Sequence, residues 1–406
     1  MADTIPSQGS HKNLNLFRKA LPGLLARGVL TPLDPILRLC ARPVRRPQGS
    51  RPGDHATAPA RSEPVFVFAS YMVGDLFMAL PALKRLAAVR PVRVLCRPDC
   101  AGLVAREGLV PVAFDNAFLT SRSAAAFRRT LRAARALRTH PEAAAATFAI
   151  DLDASPLSAL WLRLAGFSRV ASYRRAYGAL FTETFDLPAE AVHQADRDEA
   201  VVGYVLEEMA THGLRAEGRG ERDHENQHTI PGTTTASFGD TVSPPHQSSI
   251  INHQSVHTPW LFSVWTRKAA KNWPLEHWDE LIAALVAEGV AIEILNPPDA
   301  DDAFKAFRAR WEPGDAASGA RLSFVGGTLD DVADRVRGAA GVVATDNFLG
   351  HMAGYYGKPV LWINRSSPSA QVRPRGPRTL EVAAGDTGAL AVESVARAFH
   401  ALRRDA

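Results

Sequence analysis

The sequence predicts an α/β protein with two doubly wound parallel sheets, and three observations predict it. Short apolar runs bounded by turn residues alternate with stretches of helical periodicity, in the pattern of repeated βαβ units. Residues 217–258 interrupt that alternation with a stretch rich in His, Ser, Thr, Gln and Pro that has few large apolar side chains to bury. Residues 344–364, ATDNFLGHMAGYYGKPVLWIN, then read as strand, capped helix, glycine stop and strand, which is one complete βαβ unit. At 406 residues the chain is long enough for two cores, and two sheets in series predict a cleft with ligands near the carboxyl ends of the strands.

Four regions follow in order. Residues 1–62 are a basic, leucine-rich extension and tether. Within it, residues 13–46 mix leucines with Arg18, Lys19, Arg27, Arg38 and Arg42, and Pro22, Pro32 and Pro35 cut the stretch into short helices. Such faces suit an anionic membrane surface; a helical arm packed on the body is the alternative. The extension carries ten Lys or Arg against three Asp or Glu, a balance of +7, so a chain total of +5 leaves the rest at −2. That charge argues against a nucleic-acid-binding body. No apolar run approaches the ~20 residues of a membrane-spanning helix. The N-terminus lacks a compact signal-peptide core, so a cytoplasmic protein is expected. Cys40, Cys96 and Cys100 are too few and wrongly spaced for a zinc site or disulfide framework, and read as buried thiols.

The first domain, 63–216, opens with a strand at 65–69, the turn SYMVG and a helix beginning near Asp75. Strands follow at 92–96 and 147–151, with a helix in SALWLRLAGF, and the arginine-rich stretch 121–138 reads as a solvated helix. The polar linker 217–258 contains His224, His228, His246, His253 and His257, which lack the fixed short spacing of metal ligands. The second domain, 259–406, restarts with strands at 261–265, 290–295, 321–325 and 342–345 and helices at 277–286 and 329–336. It closes with an amphipathic helix at 389–402, expected to fold back across the domain junction.

Three loops should converge on the cleft. In SYMVGD, Gly74 allows a tight turn and Asp75 sits at a helix start, where it reads either as a plain cap or as a carboxylate ready to take a proton from a hydroxyl. In TRKAAKNWPLEHW, Lys268 and Lys271 follow a strand and could neutralise a diphosphate, Thr266 lies alongside, and Trp273 and Trp278 pack. The third loop is the opening stretch with VGGT beside it. Gly326 and Gly327 allow close backbone approach, and Thr328 offers a hydroxyl and a cap. The helix N-terminus after Asn347 suits a phosphate, whereas Asp346 has the wrong sign and suits a cap or a hydroxyl. His351 lies one turn further on nearly the same face, placed to touch phosphate or brace the loop.

From residue 64 to 368, the linker excluded, these motifs in this order resemble glycosyltransferase family 9, the heptosyltransferase-like enzymes of lipopolysaccharide biosynthesis. The resemblance implies the GT-B fold: two Rossmann-like doubly wound domains facing a central cleft, acceptor on the first and nucleotide sugar on the second. SYMVGDLFMALPALKRL is similar to the family's opening loop and helix, which makes Asp75 the catalytic base. KNWPLEHW is similar to its K-x-W-P stretch, placing Lys271 on the diphosphate with Thr266 nearby. VGGTLDDVADRVRGAAGVVATDNFLGHMAGYYGKPVLWI resembles its nucleotide-sugar-binding end, with Thr328 at its start, and maps Asp346, Asn347 and His351 onto D-T-G-x-x-H. Three departures stand out. Phe348 replaces a glycine, Asn347 replaces a threonine, and NRSSPS replaces F-G-x-T-x-P, leaving Ser366 and Ser367 as substitutes. The family's acidic donor contact has Asp299 and Asp301 as candidates.

The implied activity is inverting, metal-independent transfer of a heptose-like sugar from a nucleotide-sugar donor such as ADP-heptose to a lipopolysaccharide-type or lipid-linked acceptor. It needs no cofactor, and residues 13–46 would touch the cytoplasmic face of the inner membrane. One alternative is a catalytically silent GT-B-like protein that binds a nucleotide or glycan within a polysaccharide assembly. Phe348 and NRSSPS favour that reading; the presence of both Asp75 and Lys271 opposes it. An epimerase or hydrolase on the same fold would turn over without an acceptor.

Overall fold

The computed structural model describes residues 63–69, 72–121, 123–174, 181–217, 258–312, 321–384 and 390–404. The basic extension and the five linker histidines therefore lie outside the described residues. The first lobe contains β1 Val65–Phe68, α1 Val73–Ala87, β2 Val92–Cys96, α2 Ala101–Arg106, β3 Val110–Ala113, α3 Ala117–Thr120, α4 Ala124–Leu137, α5 Pro141–Ala145, β4 Phe148–Asp151, α6 Pro156–Ala165, β5 Arg169–Tyr173, β6 Glu183–Phe185 and α7 Gln194–Glu217. The second contains β7 Trp260–Ser263, α8 Leu275–Ala287, β8 Ile292–Leu295, α9 Asp302–Trp311, β9 Leu322–Val325, α10 Leu329–Gly338, β10 Gly341–Thr345, α11 Phe348–Tyr355, β11 Val360–Asn364, α12 Ser369–Val372, β12 Thr379–Ala383 and α13 Val392–Arg404.

Each lobe holds one six-stranded sheet, ordered β3-β2-β1-β4-β5-β6 and β12-β11-β10-β7-β8-β9. Every pairing in both is parallel. Counted from its own first strand, each sheet has the same 3-2-1-4-5-6 order, which is the Rossmann arrangement. Connections leave in opposite directions from β1 and β4, and again from β7 and β10. A crevice therefore opens at the carboxyl ends of each of those strand pairs.

The central strands are buried along their whole length, as a sheet covered by helices on both faces requires. In the first lobe Phe66, Phe68, Phe114, Phe118, Phe127, Trp161 and Phe167 fill the core; in the second Trp260, Phe262, Trp273, Trp278, Phe304, Phe307 and Phe399 do so. One apolar cluster crosses between the lobes, joining Phe77, Leu80 and Leu83 of α1 to Leu349, Met352 and Ala353 of α11. Cys96 and Cys100 are buried thiols whose pKa burial pushes up to about 12. The α4 arginines Arg128, Arg129, Arg132, Arg135 and Arg138 are exposed, as expected of a solvated helix.

The C-terminal helix departs from expectation. Its apolar stripe, Val395, Phe399 and Leu402, packs on its own lobe, with Phe399 against Trp260 and Phe262, instead of crossing the junction. Among the described residues no helix is long and apolar enough to cross a membrane.

Candidate active site

The two crevices face each other, and the sequence-predicted residues divide between them. Asp75 lies in the first turn of α1, after β1. The helix begins two residues earlier than expected, with Met72 at its N-cap, so Asp75 occupies the third helical position and its carboxylate accepts the Met72 N–H. Cap and candidate base are thus one group. Gly74 is helical and has no positive φ, so the expected tight turn does not explain it. Close approach does: a Cβ at Gly74 would stand 3.0 Å from His351 Cδ2 and 3.5 Å from the Phe348 Cα of the opposite lobe.

Asp75 is half-buried, and loss of water around its carboxyl, reinforced by the charge of Asp153, raises its pKa to about 6. The Met72 N–H and the charges of Lys268 and Lys271 pull the other way. Those two lysines belong to the second lobe, so Asp75 is electrostatically in view of them. Asp153 arrives from β4, on the other side of the same crevice. Its N–H donates to Asp151 Oδ1 at 2.9 Å, Ser158 Oγ donates to Asp151 Oδ2 at 2.5 Å, and Ala154 next to it has φ 49°. A non-glycine residue in that left-handed region marks a turn held by its surroundings. Asp198 of α7 is also buried in the field of Asp75; it accepts from Gln194 Nε2 at 2.9 Å, and burial raises its pKa well above the usual range.

Across the gap, Lys271 ends a short helical turn after β7 and forms an ion pair with Asp346, whose side chain is 5% exposed. Ser367 Oγ donates to the same Asp346 oxygen. Asp346 therefore takes a hydroxyl and an ammonium, while Asn347 does the capping. Asn347 Oδ1 accepts from Leu349 N at 2.9 Å, and its Nδ2 donates to Ser263 Oγ at 2.6 Å and Thr345 Oγ1 at 3.3 Å. Thr266 N donates to Asn272 Oδ1 at 2.7 Å and Asn272 Nδ2 returns to the Thr266 carbonyl at 2.9 Å, closing the lysine loop on itself. Arg365 Nη1 fastens that loop by donating to the Asn272 carbonyl at 2.5 Å. His351 is buried, and burial lowers its pKa to about 4, leaving a neutral imidazole at pH 7. Its Nδ1 has no hydrogen-bond partner among the described residues.

Not every expected residue gathers here. Thr328 caps α10 in a reciprocal box with Asp331, at the end of edge strand β9 and two strands from the β10 crevice. Gly327 has φ 135°, a local backbone need, and a Cβ at Gly326 would make only ordinary contact. Asp299 pairs with Arg267, and Asp301 caps α9 and accepts from Trp265 Nε1 at 3.0 Å. Of the two loop serines, Ser366 is exposed and Ser367 reaches the site. Phe348 sends its side chain against the lobe-spanning apolar cluster.

The sequence model of glycosyltransferase family 9 (heptosyltransferase) matches residues 134–394, which include Lys271, Asp346, Asn347 and His351. The chain belongs to glycosyltransferase family 9. The match begins after the Asp75 loop. Among the solved structures that match, three illustrate the shared architecture. E. coli ADP-heptose LPS heptosyltransferase II superposes with a TM-score of 0.59 at 18% identity, over 84% of this chain and 99% of that one. E. coli heptosyltransferase WaaC with ADP gives 0.58 at 18% identity, over 84% and 99%. The family 9 glycosyltransferase of Veillonella parvula gives 0.59 at 11% identity, over 86% and 100%. No curated protein matches the sequence. This family 9 chain has the GT-B fold of those structures.

Proposed function

We propose that this family 9 glycosyltransferase is an inverting, metal-independent heptosyltransferase that uses an ADP-heptose-like donor and a lipopolysaccharide-type acceptor. The first lobe would hold the acceptor and the second the donor. The observation that carries this reading is the contact of Gly74 with His351 and Phe348, which brings the first turns of α1 and α11 together across the lobes. A carboxylate with a pKa near 6 then faces lysines and a helix N-terminus.

In this reading Asp75 takes the proton of an acceptor hydroxyl, whose oxygen forms a bond to the anomeric carbon as the bond from that carbon to the diphosphate breaks on the opposite face. Lys271 and the α11 N-terminus stabilise the charge arriving on the departing diphosphate, where exclusion of water strengthens both interactions. Of the three N–H bonds of the Lys271 ammonium, Asp346 occupies one direction, and the others are available to phosphate oxygens. The positive charge required thus comes from this chain's own groups. Residues 13–46 would keep the enzyme at the cytoplasmic face of the inner membrane, near a lipid-linked acceptor.

The test is release of ADP from ADP-heptose with deep-rough lipopolysaccharide as acceptor, in wild type and Asp75→Asn. Acceptor-dependent release that disappears in the variant supports the reading. Binding of ADP without turnover supports the silent alternative, and acceptor-independent turnover supports an epimerase or hydrolase.

A further inference from the structure

Helices α1 and α11 pack together from their first turns onward. Their first turns touch through Gly74 and His351, and further along Phe77 packs on the rings of Tyr355 and Tyr356 at centroid distances of 5.6 and 5.8 Å. The two helices therefore run in the same direction, with both N-termini in the cleft. Beyond their other ends sits Glu107, just after α2, with a side chain only 8% exposed. It accepts from Tyr355 Oη at 2.6 Å, Tyr356 Oη at 3.2 Å and Arg337 Nη2 at 2.9 Å in the second lobe, and from Lys84 Nζ on α1 at 2.6 Å. Arg337 also lies over the Tyr356 ring, 4.2 Å from its centroid. Among the other ties between the lobes, His193 Nε2 is buried and bonded to the Arg373 carbonyl at 2.9 Å, a single hydrogen bond. Arg375 with Asp196 and Arg106 with Asp334 are surface ion pairs, of a kind that contributes little. A buried carboxylate with several partners behaves differently, because removing it takes the acceptor from the half-buried Tyr355 and Tyr356 hydroxyls.

We infer that Glu107 is a positioning residue for transfer: by gathering donors from both lobes at the far ends of α1 and α11, it fixes how closely Asp75 and the donor-phosphate site face each other. This rests on the reading of Asp75 as the base. Glu107 touches no reacting atom. It acts along two packed helices that both begin in the cleft, so that a change at the far end of the pair alters spacing at the near one.

The experiment uses the full chain and two changes, Glu107→Gln and the double variant Tyr355→Phe with Tyr356→Phe, each in a Cys40→Ser background. Spin labels on cysteines introduced at the exposed positions Ala125 and Arg403 report the distance between lobes. ADP alone probes the second lobe, and ADP-heptose with deep-rough lipopolysaccharide probes turnover. The expected result is a broadened interlobe distance, ADP affinity within about two-fold of wild type, and kcat at least ten-fold lower with KM for ADP-heptose little changed. A merely structural role lowers thermal stability but leaves kcat per folded molecule and the distance intact, and that result overturns the inference. So does an unchanged distance in the tyrosine variant should Glu107→Gln not fold. Turnover that survives Asp75→Asn defeats the base reading instead, and the distance measurement then stands alone in judging whether Glu107 ties the lobes.

Discussion

Replacing Asp75 by Asn should abolish turnover and, against the usual trend of point mutations, stabilise the protein at neutral pH. The carboxyl has an ordinary pKa of 3.8 that burial and Asp153 raise to about 6. A group with a raised folded-state pKa contributes stability that is fully present below its unfolded value and lost as pH rises through its folded value. From pH 4 to above 6, then, ionisation of Asp75 costs the native state roughly 2 pKa steps at 1.36 kcal/mol each, or about 3 kcal/mol. Asn keeps the shape and cannot ionise, so it removes that cost. Denaturant titrations of both proteins every half unit between pH 4 and 8 read the difference directly. The two should be equally stable near pH 4 and should diverge to a plateau above pH 6 with the variant ahead, and wild-type kcat/KM should fall on an acid limb near pH 6. Parallel stability curves would refute the reasoning, because Asp75 would then be an ordinary solvated carboxylate and its tuning as a base would have no physical cause.

Three further changes test the opposite wall. Lys271→Ala should weaken ADP binding about 10- to 100-fold by calorimetry, as expected for one charge-assisted hydrogen bond worth ~1.5–3 kcal/mol; unchanged affinity would remove Lys271 from the diphosphate. Gly74→Ala places a Cβ 3.0 Å from His351 Cδ2, so it should cost about 1–3 kcal/mol of overpacking and lower kcat more than it alters ADP affinity. His351, with its pKa lowered from 6.5 to about 4 by burial, stabilises the fold above pH 6.5 and loses that contribution as pH falls toward 4, by up to ~3 kcal/mol. His351→Gln should flatten this acid limb, and an imidazole resonance titrating near 6.5 in the native protein would contradict it.

What the sequence made legible follows from burial on two faces. The strands β10 and β11 are enclosed throughout, so VVAT and VLWIN read as continuous apolar runs, and Asn347 and Gly357 punctuate them. Edge strands signal less evenly: β9 reads as a strand over 321–325, whereas β3 and β6 do not. β3, VPVA, is apolar but interrupted by Pro111, with Val110 and Ala113 facing solvent, and β6, ETF, is short, half-buried throughout and too polar to stand out. The long α7 shows the core only Val201, Val202 and Val205 within its central turns, too sparse a stripe to stand out among its acidic residues.

The site divides along the same line. Asp75 and Lys271 each follow a central strand and sit beside recognisable turn residues, and Asp346, Asn347 and His351 lie within one short helix entry. Asp153, Ser367 and Arg365 gave little or no warning, because their roles depend on strand order. Asp153 matters since β4 lies beside β1, although β2 and β3 come between them in the chain. Ser367 reaches Asp346 because β11 adjoins β10, and Arg365 from the same loop reaches across to the lysine loop. Glu107 is more distant still, since its partners Tyr355 and Tyr356 belong to the other lobe. A pattern along the chain reports what one element buries. A carboxylate that joins two lobes depends on how the elements stack, and that information appears only once both sheets are in place.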